Sequence, residues 1–248
     1  IVNPGTVEFG PGTVFEKNRA ERYGGALAIL SSADVLLEEA SFRNNSAASG
    51  GAIAILPKSE VEFKKDGIDD LDIWRVPEIQ LAEWTRSRLR VENTSFSEDH
   101  THANKIGGFG GAIYMMENDI VMSDSRFTAC YTDDFGWGGA FRFLSSDVEI
   151  TSTTFEHCEA GKGGALDCLA SRLGMKGGTV LNDNTAIKHE GGGMHALFCK
   201  CELKDVSMQR NTAVQGRGGG AFFGYNSRVV MERNFNGGKG NSVVSENV

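Results

Sequence analysis

The sequence predicts an all-β fold, namely a single right-handed parallel β-helix of about eight coils with one inserted loop. Three recurrent features support this prediction. They are a Gly-Gly-Ala turn, an aromatic residue followed by a polar turn residue, and a pair of apolar residues upstream of the aromatic one. Together they mark units that cannot bury an apolar face alone, so the units must stack on one another to form a core.

The glycine turn is the most regular feature. Its clearest copy is Gly50-Gly51-Ala52-Ile53, and related turns begin at Gly24, Gly110, Gly138, Gly163, Gly192 and Gly219. Successive first glycines are 26, 60, 28, 25, 29 and 27 residues apart. A period in this range is typical of a stacked repeat. Paired glycines supply backbone conformations that a residue with a β-carbon disfavours.

The second feature is a large apolar residue followed three positions later by asparagine, as in Phe42 and Asn45. Stacked coils would place phenylalanine on phenylalanine in the core. The asparagine amides would then hydrogen-bond the turn backbone and also one another. Three middle coils keep the aromatic residue but change the turn residue, giving Phe96 with Asp99, Phe127 with Cys130, and Phe155 with Cys158.

The third feature is an alternating pair of apolar residues, such as Val35 and Leu37 or Ile120 and Met122. Side chains alternate across a strand, so each pair predicts a short strand with one buried face. Equivalent strands of successive coils would pair in parallel at about 4.8 Å.

The repeat is interrupted once, by the gap of 60 residues after Gly50. Phe96 follows Phe42 by 54 residues, so the gap holds either a degenerate coil or an insertion. We favour an insertion at residues 56–88 within one domain, residues 1–248, and expect it to pack across one side of the rod. Candidate binding residues lie there and in nearby coils: Trp74, Trp84, Asp70, Asp72, His102 and Trp137.

Composition excludes some classes of partner. The 248 residues carry a formal net charge of -8, which argues against nucleic acid. No apolar run approaches the length of about 18 residues that a membrane helix needs, so we expect no membrane insertion of this segment. We expect no cofactor. His100 and His102 alternate and could share a metal with Asp99 or Asp134, but a solvated loop is the favoured interpretation.

Cys130 and Cys158 replace the turn asparagine in adjacent coils. Stacking would bring their α-carbons to about 5 Å, within disulfide range. The sequence leaves two alternatives open, a disulfide or two free buried thiols. Cys201 takes an inward apolar position and is expected to be a core thiol.

Gly-Gly-Ala-(Ile/Leu/Val) combined with Phe-x-x-Asn resembles the repeat signature of the chlamydial polymorphic outer-membrane proteins. These are autotransporters whose β-helix passenger domains are implicated in adhesion. The resemblance covers most of residues 13–222. It implies a non-enzymatic structural or adhesion module that is extracellular or at a cell surface. Its partners would be a surface receptor, a glycan or neighbouring chains, and a rod subunit of a surface filament is a further alternative.

The main alternative is a carbohydrate-active enzyme, a lyase or hydrolase on a pectate-lyase-like solenoid. Two carboxylates at a suitable separation can act as general acid and base on a glycosidic bond. Aromatic side chains such as Trp137 would then serve as sugar-stacking platforms. The catalytic candidates for this alternative are Asp133, Asp134, His100, Glu159 and Arg142.

Overall fold

The computed structural model describes residues 6–30, 33–57, 86–102, 108–232 and 243–245. These residues form a right-handed parallel β-helix, which confirms the predicted fold class. Each coil contributes one strand to each of three long sheets, and all pairings within the sheets are parallel. The apolar side chains of the three sheets face inward and form one continuous core.

Sheet 1 contains the strands predicted from the alternating apolar pairs. Its eight strands are β1 Thr6–Phe9, β4 Asp34–Glu38, β8 Arg88–Glu92, β12 Asp119–Ser123, β15 Asp147–Thr151, β19 Arg172–Lys176, β23 Lys200–Lys204 and β27 Arg228–Glu232. Sheet 2 contains the aromatic positions. Its eight strands are β2 Val14–Glu16, β5 Ser41–Arg43, β9 Ser95–Ser97, β13 Arg126–Thr128, β16 Thr154–Glu156, β20 Thr179–Asn182, β24 Val206–Gln209 and β28 Val243–Ser245.

Sheet 3 follows the glycine turns. Its seven strands are β3 Leu27–Leu30, β7 Ile53–Leu56, β11 Ile113–Met116, β14 Phe141–Leu144, β18 Leu166–Leu169, β22 Met194–Leu197 and β26 Ala221–Gly224. Between sheets 2 and 3 runs a narrow line of short pairings that we call the corner strip. It consists of β6 Ser46–Ala47, β10 His100–Thr101, β17 Glu159–Ala160, β21 Thr185–Ala186 and β25 Thr212–Ala213, with Tyr131 bridging β10 and β17.

An uninterrupted stack of phenylalanine rings fills the core beneath sheet 2. Phe15, Phe42, Phe96, Phe127 and Phe155 follow one another with ring centroids 4.6, 4.8, 4.5 and 4.8 Å apart. Successive rings are tilted by no more than 14°. The predicted register of the coils is therefore confirmed by direct contact between equivalent side chains.

The coils on either side of the predicted insertion are neighbours. Strand β4 pairs directly with β8, and β7 pairs directly with β11. Leu56 belongs to β7 and Arg88 to β8, so the two end residues of the predicted range are part of the sheets. Residues 58–85 lie outside the described residues, and Asp70, Asp72, Trp74 and Trp84 lie outside with them.

The paired glycines have different roles. Gly110 has a φ of +63°, and a β-carbon there would clash with the carbonyl of Ile113. At Gly111 a β-carbon would clash with the carbonyl of Gly139 in the next coil. The positive φ falls on Gly191 and Gly218, so these residues begin the last two turns, rather than Gly192 and Gly219 as the sequence suggested.

The asparagine ladder forms as predicted. In Asn184 the backbone N–H and the side-chain Nδ2 donate to Oδ1 of Asn211, at 3.0 and 2.9 Å. Nδ2 also donates to the carbonyl of Phe155 in the preceding coil, at 3.0 Å. Each amide therefore satisfies both a buried turn and its stacked neighbour.

A second ladder of small polar residues was not predicted. It lies in the turn between sheets 3 and 1, where Ser145 has a φ of +47°. The backbone N–H of Ser146 donates to Oγ of Ser171 at 3.0 Å, and that hydroxyl donates to the carbonyl of Leu169 at 2.7 Å. Like the ladder asparagines, these serines accept a hydrogen bond from the neighbouring coil and donate one to a turn carbonyl, but their side chains are shorter.

Asp99 occupies one rung of the asparagine ladder and is fully buried. Its Oδ1 accepts hydrogen bonds from the backbone N–H and Nδ2 of Asn45, both at 2.8 Å. Its Oδ2 has no hydrogen-bond partner among the described residues. Burial raises the pKa of Asp99 from 3.8 to about 7, while the bonds from Asn45 oppose this rise. Oδ2 takes the place of the amide nitrogen of an asparagine, and burial favours its protonated form.

We expect Asp99→Asn to stabilise the protein at high pH and to change little at pH 4. The native pKa lies above the unfolded one, so the contribution of Asp99 to the free energy of unfolding falls as pH rises from about 4 to 7 and is then flat. The variant lacks this fall, and its advantage at pH 8 should be on the order of 4 kcal/mol. Urea titrations across this pH range measure it.

Asp183→Asn is the matched control. Arg210 donates to the Asp183 carboxylate at 2.8 Å and holds its pKa below the usual value. Its removal should therefore lower stability above pH 4, with the opposite sign. Parallel pH curves for wild type and Asp99→Asn would contradict a buried, protonated Asp99.

Candidate functional site

Among the turns that the structure describes in full, the largest differences in length between coils after the first occur at one corner of the rod. The longest connection of the chain, residues 57–87, belongs to a different corner, between β7 of sheet 3 and β8 of sheet 1. The segments from the corner strip to the glycine turn are 133–137, 161–162, 187–190 and 214–217, and we call them together the loop corner. The matching segment of an earlier coil is only Ala48–Ser49. The turn from sheet 2 to the corner strip keeps two residues, as in Ala129–Cys130 and His157–Cys158. Length variation confined to one face of a repeat protein often marks its binding face.

The longest described loop, 133–137, is closed by its own hydrogen bonds. Oδ1 of Asp133 accepts from the backbone N–H of Phe135 at 3.1 Å, and its carbonyl accepts from Gly136 at 2.9 Å. Asp134 forms an ion pair with Lys188 at 3.9 Å. Phe135 is left 65% exposed at the tip of the loop.

His100 and Tyr131 lie beside this loop on the corner strip. Their rings stack with centroids 4.8 Å apart and planes within 5°. Nδ1 of His100 lies 3.1 Å from the carbonyl of Glu98, so that nitrogen carries the proton of the bond. Glu159 follows Tyr131 on the next rung. His100 and Glu159 are thus two rungs apart, or about 10 Å along the rod.

A buried charged cluster lies on the outer face of sheet 3. Arg142, Asp167 and His195 occupy the same register position in successive strands. Oδ1 of Asp167 is 2.7 Å from Nδ1 of His195, and its Oδ2 is 3.3 Å from Nε of Arg142. All three side chains are almost completely buried. The ion pair with Arg142 and the hydrogen bond with His195 offset part of the cost of removing the Asp167 carboxylate from water.

Two aromatic rings contact the guanidinium of Arg142. Its Cζ lies 4.0 Å from the ring centroid of Phe109 and 4.1 Å from that of Trp137. Burial lowers the pKa of Arg142, and the Asp167 carboxylate opposes this shift. Nη1 of Arg142 has no hydrogen-bond partner among the described residues. Cation–π contacts with the two rings therefore stabilise a buried guanidinium that lacks a full set of hydrogen bonds.

The structure brings together some of the predicted site residues and separates others. Arg142 and Trp137 meet in the buried cluster. The remaining described catalytic candidates, Asp133, Asp134, His100 and Glu159, lie along the loop corner and the corner strip. Nδ1 of His102 is buried without a hydrogen-bond partner among the described residues.

Sequence reasoning missed Phe109, Asp167 and His195. A signal was present for two of them, because Arg142, Asp167 and His195 each stand four residues after the first glycine of a turn. That position faces outward from sheet 3, where a charged residue is expected to be solvated. The burial of Arg142 depends on aromatic rings from the segments that precede the glycine turns, and the repeat pattern does not predict these contacts.

The corner strip does not assemble a metal site in the described part of the chain. Asp99 is fully buried in the asparagine ladder, whereas His100, the next residue, is partly exposed and stacks on Tyr131. Within the described ranges, no group of three or more His, Cys, Asp or Glu side chains is placed to hold an ion.

Cys130 and Cys158 are free, buried thiols, so the disulfide alternative for this pair is wrong. Their sulfurs lie 3.8 and 4.0 Å from the carbonyls of Phe96 and Phe127, the places where the ladder asparagines donate. Burial first, and then the neighbouring Cys158, raise the pKa of Cys130. Cys201 is a free core thiol as predicted, and burial raises its pKa to about 12.

The disulfide of the described structure joins Cys168 and Cys199. Cys168 points inward from β18, and Cys199 lies in the turn after the next strand of sheet 3, 31 residues later. The sequence did not predict this bond, because the two residues occupy different positions of the repeat.

No family model, curated protein or solved structure matches this chain. The described residues also contain no helix long and apolar enough to cross a bilayer. The site must therefore be interpreted from its own geometry.

We expect three titratable thiols per chain when the protein is unfolded without reductant, and five after reduction. Peptide mapping by mass spectrometry should recover one linked pair, Cys168 with Cys199. A linked Cys130–Cys158 peptide would contradict the ladder role of these thiols.

We expect Asp167→Asn to destabilise the protein by about 3–5 kcal/mol, because it leaves the buried guanidinium of Arg142 without its counter-charge. The control Asp147→Asn removes an exposed carboxylate that pairs with Arg86 at 3.5 Å, and should cost less than about 1 kcal/mol. Denaturant titration measures both. The double variant Arg142→Leu/Asp167→Leu should recover most of the loss. Equal effects of the two Asp→Asn changes would contradict a compensated cluster.

Proposed function

We propose that this chain is a non-enzymatic structural or adhesion module, extracellular or at a cell surface, whose loop corner binds a partner. The observation that supports this most directly is that segment length varies at the loop corner in four successive coils, whereas residues 57–87 are a single long connection at another corner. Repeats fix the scaffold, while changes of loop length on one face alter recognition without changing the core.

The scaffold is suited to presenting a binding surface. Stacked rings and side-chain ladders connect each coil to the next, so the loop corner stands on ordered strands. Asp133 closes its own loop, and backbone N–H groups of Lys188 and His189 donate to the carbonyl of Gly161. A surface held in place before binding loses less conformational entropy when a partner arrives.

The buried cluster supports a structural role for its charged residues. Asp167 pairs with Arg142 and hydrogen-bonds His195, and the rings of Phe109 and Trp137 contact the guanidinium of Arg142. The cluster fastens the segments that lead into the glycine turns onto sheet 3. Arg142, a predicted catalytic residue, is thereby engaged in packing.

The disulfide supports a location outside the reducing cytosol, since such bonds persist mainly in oxidising compartments. The net charge of -8 supports a partner other than nucleic acid. A surface receptor, a glycan and a neighbouring chain remain the partner classes of this proposal.

Adhesion of coated beads tests the proposal. Beads carrying the chain at fixed density should bind monolayers of at least one cell type, and Tyr131→Ser/Phe135→Ser should abolish most of this binding. The control Val121→Ser/Met231→Ser removes exposed apolar side chains from sheet 1 and should leave adhesion unchanged.

Two results would overturn the proposal. One is equal adhesion by both double variants. The other is release of reducing ends from a polysaccharide panel that is lost in Asp134→Asn or His100→Ala. That second result would favour the carbohydrate-active enzyme.

A further inference from the structure

An aromatic stack on the corner strip ends beside an acidic residue. Tyr131 is 42% exposed and uses one ring face to stack on His100. Its rung is followed by that of Glu159, whose side chain is exposed. Stacking directs the opposite ring face of Tyr131 along the rod towards Glu159. The ring and the carboxylate are therefore neighbours on the outer side of the corner strip, and we call this pair of side chains the notch.

Three of the four carboxylates around this notch have no ion-pair partner in the described structure. Glu98, Asp133 and Glu159 form no ion pair with a described residue. Asp134 is the exception, because it pairs with Lys188. Arg126, a nearby cation of sheet 2, is engaged by Glu156 at 2.7 Å. Lys162, another cation of the loop corner, lies 5.0 Å from the ring centroid of Trp137. Four carboxylates and two lysines thus surround the notch, and a cationic partner would complement this excess of negative charge.

An apolar anchor stands beside the notch. Phe135 is 65% exposed, although its loop is closed by bonds to Asp133. The next backbone contact fixes the loop to the strip, since the N–H of Thr132 donates to the carbonyl of Glu159 at 2.9 Å. An exposed aromatic ring on a fixed loop is typical of a protein-binding surface.

These features select among possible occupants. A cation over the free face of Tyr131 gains from the ring quadrupole and from the Glu159 carboxylate together. An anionic glycan would be repelled by the unpaired acids. A neutral glycan would stack on the ring but would cover Glu159 without offering it a counter-charge. A basic peptide offers both cations for the notch and apolar contacts for Phe135.

We propose that the notch formed by Tyr131 and Glu159, with Phe135 as its apolar neighbour, binds a segment rich in lysine or arginine on a partner protein. This inference rests on the proposed function and names the partner of its loop corner. One basic side chain lies over the outer part of the Tyr131 ring and beside the Glu159 carboxylate. Glu98 and Asp133 attract the charges that flank it.

Fluorescence anisotropy with a labelled decapeptide of alternating Arg and Gly tests the inference at about 0.15 M salt. Tyr131→Leu and Glu159→Gln should each weaken binding by about three- to tenfold. Tyr131→Phe keeps the ring face and should stay within about twofold of wild type. A peptide with citrulline in place of arginine should not bind.

Matched controls separate the notch from the general acidity of the chain. Tyr225→Leu removes an exposed tyrosine at another corner, and Glu202→Gln removes an exposed carboxylate from sheet 1. Both should leave peptide affinity within about twofold of wild type. Thermal unfolding followed by circular dichroism verifies that each variant is folded. Glu159→Gln alters only an exposed side chain and remains informative if Tyr131→Leu fails to fold.

The inference is overturned if the peptide does not bind, if the controls weaken binding as much as the notch variants, or if the citrulline peptide binds equally. Bead adhesion distinguishes this failure from failure of the proposed function. Adhesion that depends on Tyr131 and Phe135 without peptide binding would retain the binding corner and reject a basic partner. Loss of both would reject the two proposals together.

Discussion

Satisfying the backbone at the corners is the constraint on which the rest of the molecule depends. Every coil turns sharply at the same places, and each turn buries peptide groups that water no longer reaches. In-register stacking provides a partner for these groups, because an identical turn lies one coil above and below. Asn184 and Ser146 show two solutions, one with an amide and one with a hydroxyl. Asp99 and Cys130 show that other side chains can take the same place in the turn.

This constraint explains which features the sequence predicted. Phe42 on Phe96 and Asn184 on Asn211 are contacts between equivalent positions, so a periodic pattern contains them directly. The serine ladder also stacks equivalent positions. Small polar residues are common in any turn, however, so serine at these positions does not by itself indicate a ladder. Arg142 between Phe109 and Trp137 is different, since its neighbours come from non-equivalent positions and their contact depends on how a loop folds over a sheet.

The same distinction separates scaffold from site. Positions that stack on their equivalents have little freedom to change, because a substitution must suit two neighbouring coils. Segments of the loop corner contact residues of other coils without a repeated side-chain ladder, as Asp134 contacts Lys188 two coils further on. Length and charge can vary there while Gly138 and Gly163 keep the turns in register. The corner whose segments differ in length from coil to coil is accordingly where we propose that recognition occurs.

The Cys168–Cys199 bond also has a mechanical consequence. It links one coil to the next and encloses a sequence separation of 31 residues. When the two ends of a β-helix are pulled apart, coils peel away one at a time, and each released residue adds at most about 3.5 Å of chain. The residues enclosed by the disulfide cannot be extended while the bond is intact. The fully stretched chain is therefore shorter by about 110 Å than it would be without the bond. When a rod is pulled from its ends, the coil closed by this disulfide would therefore add no further length after it unfolds.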